Sequence, residues 1–199
     1  MTETLEVTRT LKAVLFDLDD TLIDWSTVHT EWMAYEYAFL RRVFDYICQE
    51  VHPLPEMQPF IDEFYRRTRE GWSNGRSTFL APNLGKILVE AAEAAGVPAG
   101  QLDSRRCLEA YAWRAVPGCR TFPEVPEVLA LLRDHGIKVG IVTNAYQPMW
   151  VRDVEIAQHG LLEYFPDCRI SAADVGYLKP HPAIFKAALD LLEIEPDEA

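Results

Sequence analysis

Four aspartates follow a short apolar run near the start of the chain, and their crowding points to a reactive site. They lie within the segment KAVLFDLDDTLID and are Asp17, Asp19, Asp20 and Asp24. Two unprotonated carboxylates about 4 Å apart repel each other by about 4 kcal/mol at an effective dielectric constant near 20. A shared proton, a metal ion or a cationic side chain must offset that repulsion. The competing interpretation is an acidic turn in which Asp20 or Asp24 caps a helix.

Two later segments could supply partners for these carboxylates. The segment IVTNA places Thr143 and Asn144 at the end of a predicted strand, where a hydroxyl and backbone N–H groups can hold an anion. The segment GYLKPHP places Lys179 in a loop before the last predicted helix. Each has a simpler explanation, because Thr143 could merely cap a helix and Lys179 could be a surface residue. Ligands of open α/β sheets bind outside the carboxyl ends of the strands, where Asp17 and Thr143 are predicted to lie.

The pattern of apolar residues predicts the elements that position these groups. Short continuous apolar runs predict buried strands at 12–17, 137–142 and 168–171. Apolar residues at steps of three and four predict helices at 28–46, 58–70, 84–95, 103–115, 124–134, 148–158 and 182–192. The glycines and polar residues at 71–78 predict a loop. Strands that alternate with helices indicate an α/β fold with a parallel sheet, interrupted after the first strand by an all-helical insertion.

Composition limits the class of partner. The chain has 199 residues and a formal net charge of −12, which argues against nucleic acid or an anionic membrane as the main partner. The four cysteines form no CxxC pair. No run approaches the roughly 20 apolar residues of a membrane helix, and no signal-peptide pattern is visible. We therefore expect a cytoplasmic protein, either a monomer or a homodimer.

Three signatures taken together resemble the haloacid dehalogenase superfamily. DLDDT at 17–21 is similar to its Asp-x-Asp-x-Thr signature, Thr143 to its second, and Lys179 after Ser171 and Gly176 to its third. The second aspartate, Asp19, resembles the phosphatases rather than the dehalogenases of that superfamily. The resemblance implies a Rossmann-like, three-layer core formed by residues 1–24 and 116–199, with a helical C1 cap formed by residues 25–115.

The resemblance also implies roles for these residues in phosphate monoester hydrolysis. Asp17 would attack phosphorus and form an aspartyl-phosphate, and Asp19 would act as general acid and base. Thr143 and Asn144 would bind phosphoryl oxygens, and Lys179 would neutralise the transferring group. Mg²⁺ would bind Asp17 and the backbone carbonyl of Asp19.

One part of the family pattern is missing. The superfamily carries a further strand followed by one or two acids that complete the Mg²⁺ site, and this chain stops at EIEPDEA, where the connection to that strand should begin. We therefore expect C-terminal core strands to be absent and the first strand to be left at an edge. The expected explanation is a piece of a longer protein; the alternatives are a partner covering that edge or a short variant. Asp174 is a possible distant ligand, although a loop-stabilising role is the stronger expectation.

The helical insertion is expected to select a small phosphorylated metabolite. Arginines could hold a second anionic group and tryptophans could stack on a ring, although both types occur more often on solvated faces and in cores. The candidates are Trp25, Arg66, Arg67, Arg69, Trp72, Asn74 and Arg76. Alternative functions are a phosphotransferase or mutase, a dehalogenase-like relative, and a non-catalytic binding protein.

Overall fold

The computed structural model describes residues 11–28 and 32–199. Its strands are β1 (Ala13–Phe16), β2 (Ile23–Asp24), β3 (Arg120–Thr121), β4 (Lys138–Thr143) and β5 (Arg169–Ser171). Its helices are α1 (Trp32–Glu50), α2 (Gln58–Thr78), α3 (Leu84–Ala94), α4 (Ser104–Tyr111), α5 (Val125–Asp134), α6 (Met149–Gln158), α7 (Ala172–Val175) and α8 (Pro182–Leu192). Within the described ranges, no helix combines the length and apolarity needed to cross a bilayer.

A parallel sheet in the order β1-β4-β5 forms the centre of the fold. Phe16 of β1 pairs with Ile141, and Thr143 pairs with Ser171 of β5, so the carboxyl ends of the strands share one edge. The central strand, β4, is buried after its first residue, as its apolar sequence predicts. In the described part of the chain the sheet has the three predicted strands, and β1 lies at its edge.

Helices cover both faces of this sheet. Val139 and Ile141 pack in one hydrophobic cluster with residues of α5 and α6, including Leu129 and Ile156. Val142 faces the opposite side and packs with Ala188 and other residues of α8. This arrangement confirms the predicted three-layer α/β architecture.

Helices α1 to α4 form the predicted insertion between β1 and β4. They share a hydrophobic cluster that contains Leu40, Phe64, Leu88 and Tyr111. The short strands β2 and β3 pair antiparallel and join the segments that lead into and out of these helices. The boundaries at residues 25 and 115 stay a prediction.

The loop predicted at 71–78 is wrong, because α2 continues to Thr78. Gly75 is buried, and a Cβ built on it would lie 2.7 Å from Leu178 Cδ1 and 2.9 Å from the Leu80 carbonyl oxygen. The glycine therefore serves close helix packing rather than a turn. The last residue of α2 is Thr78, and the next residue, Phe79, adopts a left-handed conformation with φ of 58°.

The predicted helix at 103–115 is also shorter in the structure. It begins after Asp103, whose side chain accepts hydrogen bonds from the Arg105 and Arg106 backbone N–H groups. It ends at Tyr111, because Ala112 adopts φ of 50° and its N–H bonds to the Leu108 carbonyl. The following residues, 112–118, lead back toward the sheet without regular structure. Trp113 in this segment is consequently available to the site described below.

Candidate active site

Asp17 and Lys179 meet at the carboxyl edge of the sheet. Asp17 directly follows β1, and its Oδ1 atom lies 2.8 Å from Lys179 Nζ and accepts a hydrogen bond from the Leu18 backbone N–H. Lys179 Nζ also donates to the Val142 carbonyl at 2.8 Å, which fixes the ammonium group beside the end of β4. Among the described residues, no donor bonds to Asp17 Oδ2. One oxygen of this carboxylate is therefore anchored and the other is available for chemistry.

Thr143 and Asn144 organise the end of β4. Thr143 Oγ1 accepts a hydrogen bond from the Ala145 backbone N–H at 3.2 Å, and its O–H can still donate to a ligand. Asn144 Oδ1 accepts a hydrogen bond from the Lys179 backbone N–H at 2.7 Å, so this amide holds the lysine loop in place. Both residues line the same cavity as Asp17. The structure thus brings the four predicted residues Asp17, Thr143, Asn144 and Lys179 into one site.

Asp19 is held by a buried arginine that the sequence reasoning did not identify. Its Oδ1 atom accepts a hydrogen bond from Arg152 Nη2 at 2.6 Å. Arg152 lies on α6 and is only 4% exposed, whereas the Asp19 side chain is 37% exposed. Arg152 is therefore a second cation, in addition to Lys179, that offsets the repulsion between the crowded carboxylates.

Arg152 belongs to a buried network that reaches the end of the helical insertion. Its Nε atom lies 3.0 Å from Oε2 of the fully buried Glu155. The indole N–H of Trp113 donates to the same oxygen at 3.0 Å, and the Arg152 guanidinium covers the Trp113 ring at 5.3 Å. Burial raises the pKa of Glu155, and the charge of Arg152 acts in the opposite direction. Since an unpaired buried charge is costly, this network should define a single position for Arg152.

The remaining aspartates make local structural contacts. Asp20 Oδ1 accepts a hydrogen bond from the Trp25 backbone N–H at 3.0 Å, and Asp24 Oδ1 accepts one from the Ser26 N–H at 2.8 Å. Asp174 Oδ2 accepts a hydrogen bond from the Met149 N–H at the start of α6, and burial raises the pKa of its carboxyl group. The contacts of Asp20 and Asp24 are those of an acidic turn, and the contact of Asp174 agrees with the expected loop-stabilising role.

A cavity of about 370 Å³ opens above these groups. Its polar lining includes Asp17, Asp19, Thr143 and Asn144. Its apolar and aromatic lining includes Trp25, Val28, Trp32, Trp72 and Trp113. The cavity therefore combines charged groups with aromatic surface.

The arginines proposed for substrate selection lie elsewhere on the structure. Arg66, Arg69 and Arg76 line a second open groove along α2, which shares Trp72 with the cavity. Arg66 pairs there with Glu63 and Glu70, at 2.7 and 2.5 Å. Two further candidates also lie on α2 outside the cavity lining: Arg67, paired with Glu63 and Glu90, and the exposed Asn74. Of the candidates in the insertion, Trp25 and Trp72 reach the cavity.

The sequence held one weak signal for the residues that were missed. Arg152 and Glu155 are three residues apart in the predicted helix 148–158, a spacing at which side chains become neighbours. They share that helix with apolar residues that face the core, such as Ile156. Nothing local indicates that Trp113 joins them, since it lies 42 residues from Glu155.

The donor atoms in this cavity suit a hard cation. Within the described residues, no group of three or more His, Cys, Asp or Glu side chains is placed to hold a metal ion. The available oxygens are Asp17 Oδ2 and the Asp19 carbonyl, which accepts no backbone hydrogen bond in the described loop. Mg²⁺ is commonly bound by one or two carboxylates together with water and substrate phosphate. The donor set therefore fits Mg²⁺ that binds together with a phosphorylated ligand.

Comparison with known proteins agrees with this geometry. Residues 11–199 match the family model described as haloacid dehalogenase-like hydrolase. The glyceraldehyde 3-phosphate phosphatase of Pyrococcus abyssi is 29% identical over 191 residues, which cover 95% of this chain and 71% of that protein. The pyrophosphatase PpaX of Bacillus cereus is 33% identical over 78 residues, which cover 39% of this chain and 35% of that protein. The match therefore spans only about a third of the PpaX length.

Solved structures show the same fold. A HAD phosphatase from Thermococcus onnurineus aligns with a TM-score of 0.52 and 26% identity, covering 95% of this chain and 75% of that one. A 2-haloacid dehalogenase from Pseudomonas syringae aligns with a TM-score of 0.54 and 24% identity, covering 96% of this chain and 76% of that one. The fold is thus an α/β core with a helical insertion, as in these two proteins. The chain belongs to the haloacid dehalogenase-like hydrolase family.

Proposed function

We propose that this hydrolase is a Mg²⁺-dependent phosphatase that cleaves small phosphate monoesters through an aspartyl-phosphate. The observation that carries the proposal is the contact of 2.8 Å between Lys179 Nζ and Oδ1 of Asp17, a residue that lines the cavity. Lys179 lowers the charge repulsion that an anionic phosphoryl group would meet on approaching Asp17. One oxygen of the Asp17 carboxylate then attacks phosphorus, the other is the oxygen that would hold Mg²⁺, and the ester bond to the leaving alcohol breaks.

Asp19 supplies the proton transfers in this proposal. Because Arg152 holds Oδ1, Oδ2 is the atom that would give a proton to the leaving alkoxide. The same oxygen would then take a proton from the water that hydrolyses the aspartyl-phosphate. A halide leaving group needs no proton, so a second carboxylate at this position favours phosphate esters over haloacids. The named phosphatase activity of the Pyrococcus relative points in the same direction.

Mg²⁺ would be held by Asp17 and the Asp19 carbonyl, and when bound it neutralises charge on the phosphoryl oxygens. Thr143 would donate its hydroxyl hydrogen to one of those oxygens. Asn144 acts through its bond to the Lys179 backbone N–H, and its side-chain N–H groups remain possible phosphate donors. These groups preorganise the phosphoryl end of the cavity before the substrate binds.

The decisive experiment measures phosphate release from p-nitrophenyl phosphate, with and without Mg²⁺, by the full chain and by Asp17→Asn. The substitution keeps the shape of the side chain and removes the nucleophilic charge, so turnover should fall by at least about 10³-fold. Asp134→Asn changes an aspartate that is 70% exposed on α5, and it should retain native turnover. Unchanged turnover in Asp17→Asn would refute the mechanism.

Two additional readouts separate the alternatives. Turnover that depends on an acceptor alcohol would indicate a phosphotransferase or mutase. Halide release from a 2-haloacid without phosphate release would indicate a dehalogenase. Neither activity from a folded chain would leave a ligand-binding protein as the better description.

A further inference from the structure

Four of the five tryptophans in the chain line the cavity. We call this surface the tryptophan wall; it consists of Trp25, Trp32, Trp72 and Trp113. The fifth, Trp150, lies on α6, is 40% exposed and does not contribute to the cavity. The tryptophans of the chain are therefore concentrated at the cavity.

Three members of the wall hold one another in place, and Trp72 packs against Tyr146 instead. Trp25 stacks on Trp113 with ring centroids 6.2 Å apart and planes 22° apart. Trp32 meets each of them edge-on at 5.9 Å. The indole N–H of Trp113 is fixed by Glu155. Because these rings constrain one another, a flat ligand can be bound with little loss of side-chain freedom.

The charges around the wall disfavour an ionic ligand body. Among the described residues that line the cavity, Arg152 is the only cationic side chain, and Asp19 and Glu155 already engage it. No cationic side chain in that lining remains for a second anionic group; the arginines of α2 line an adjoining groove that shares Trp72 with the cavity, and Arg66 is held there by ion pairs. A cationic body would meet the guanidinium that already covers Trp113. The wall therefore suits an uncharged group.

We propose that the substrate is a phosphate monoester whose alcohol carries a flat, uncharged, aromatic body. This inference rests on the proposed phosphatase function and specifies its substrate class. The phosphoryl group binds at Asp17 and Lys179, and the ring lies against the tryptophan wall. An engineered protein cavity of about 150 Å³ accommodates benzene. A cavity of about 370 Å³ therefore has room for a phosphoryl group and a ring.

The test compares four phosphate esters of primary alcohols, so that the leaving groups have comparable chemical reactivity. They are 2-phenylethyl phosphate, 2-cyclohexylethyl phosphate, 3-phosphoglycerate and phosphocholine. We expect kcat/KM for the phenyl ester to exceed each of the others by at least about tenfold, because stacking on an aromatic face favours planar groups. Equal values for the phenyl and cyclohexyl esters, or a preference for either charged ester, would overturn the proposal.

Matched tryptophan variants locate the effect. Trp72→Leu removes a partly exposed ring of the wall and should reduce the preference for the phenyl ester over 3-phosphoglycerate by about tenfold. Trp150→Leu removes a tryptophan outside the cavity and should leave that preference unchanged. Equal effects of the two substitutions would show that the wall does not select the substrate.

A binding measurement keeps this proposal separate from the proposed reaction. The free alcohol 2-phenylethanol is titrated into the native chain and both variants by isothermal calorimetry. Saturable binding that weakens at least about tenfold in Trp72→Leu and persists in Trp150→Leu supports the aromatic site even if no ester is hydrolysed. Hydrolysis without any preference would refute the substrate class and leave the phosphatase function intact. Absence of both alcohol binding and preference would refute the substrate class.

Discussion

Replacing Arg152 by methionine tests the buried network behind Asp19. The substitution preserves much of the length and apolar volume of the side chain but removes its charge. Glu155, which is fully buried, then loses the cation 3.0 Å away, and Asp19 loses its partner at 2.6 Å. The two losses have different consequences, because Asp19 is 37% exposed and water can replace its partner.

The stability cost should come mainly from Glu155. Removing one member of a buried ion pair typically costs about 3–5 kcal/mol, because the other charge is left buried and unpaired. Urea denaturation followed by circular dichroism should therefore show a loss of that size in Arg152→Met at pH 8. An exposed pair supplies the control: Arg41→Met breaks the contact with Asp45, both more than 40% exposed, and should cost no more than about 0.5 kcal/mol.

A second substitution separates charge from packing. Glu155→Gln removes the carboxylate charge and keeps an oxygen that can accept the Trp113 indole hydrogen bond. The double variant Arg152→Met/Glu155→Gln should consequently lose no more than about 2 kcal/mol. Its phosphatase activity should still be reduced by about 10- to 100-fold, because Asp19 remains without the partner that positions it.

The pH dependence gives an independent check. Burial raises the folded-state pKa of Glu155 above its ordinary value of 4.5, and loss of Arg152 removes the charge that opposes this shift. In the single variant the folded state therefore binds more protons than the unfolded state above that pH, so stability falls as pH rises. The loss in free energy of unfolding caused by Arg152→Met, relative to the native chain, should be larger at pH 8 than at pH 5.

Three results would refute this reasoning. A loss in free energy of unfolding below about 1 kcal/mol in Arg152→Met would show that the Arg152–Glu155 pair is not desolvated. A double variant as unstable as the single one would assign the cost to packing against Trp113. Native activity in a folded Arg152→Met would show that Asp19 does not depend on this contact.

Three further predictions concern other parts of the structure. Lys179→Met should lower kcat/KM by about 10²- to 10³-fold, because the substitution removes the cation beside Asp17; phosphate-release kinetics measure it. Burial raises the pKa of Glu36, and a hydrogen bond from Tyr146 acts against this shift, so the contribution of Glu36 to stability should fall as pH rises above 4.5. Glu36→Gln should therefore be more stable than the native chain at pH 8 and equally stable at pH 4 in thermal melts. Gly75→Ala should cost about 1–3 kcal/mol in urea unfolding, because the new methyl group would lie 2.7 Å from Leu178 Cδ1.

Each of these predictions has a control. Lys186→Met changes a lysine that is 73% exposed and should leave kinetics unchanged. A stability difference between Glu36→Gln and the native chain that does not vary with pH would contradict the assigned protonation. Ser73→Ala changes an exposed residue of the same helix as Gly75 and should have little effect on unfolding. Equal stability of Ser73→Ala and Gly75→Ala would mean that the helix can move away from Leu178.

The sequence alone predicted which residues would meet at the candidate site. Asp17 follows an apolar strand, whereas Thr143 and Lys179 were singled out by the joint resemblance rather than by their local sequence. The order of strands and helices then required the carboxyl ends of the strands to meet at one edge. Local apolar patterns were sufficient to place the strands and helices, because each element must bury its apolar residues whatever its partners are.

Tertiary structure alone decided how Asp19 is held and which aromatic side chains line the cavity. Asp19 and Arg152 are 133 residues apart, and no local pattern links them. The tryptophan wall likewise assembles from separate segments, while the arginines of α2 turn away into solvent or surface ion pairs. Gly75 suggested a loop from its residue type but lies inside a helix. A glycine is needed there because Leu178, distant in sequence, approaches the helix closely. Such contacts depend on which surfaces become adjacent after packing, and hydrophobic periodicity specifies that a face is buried without specifying against what.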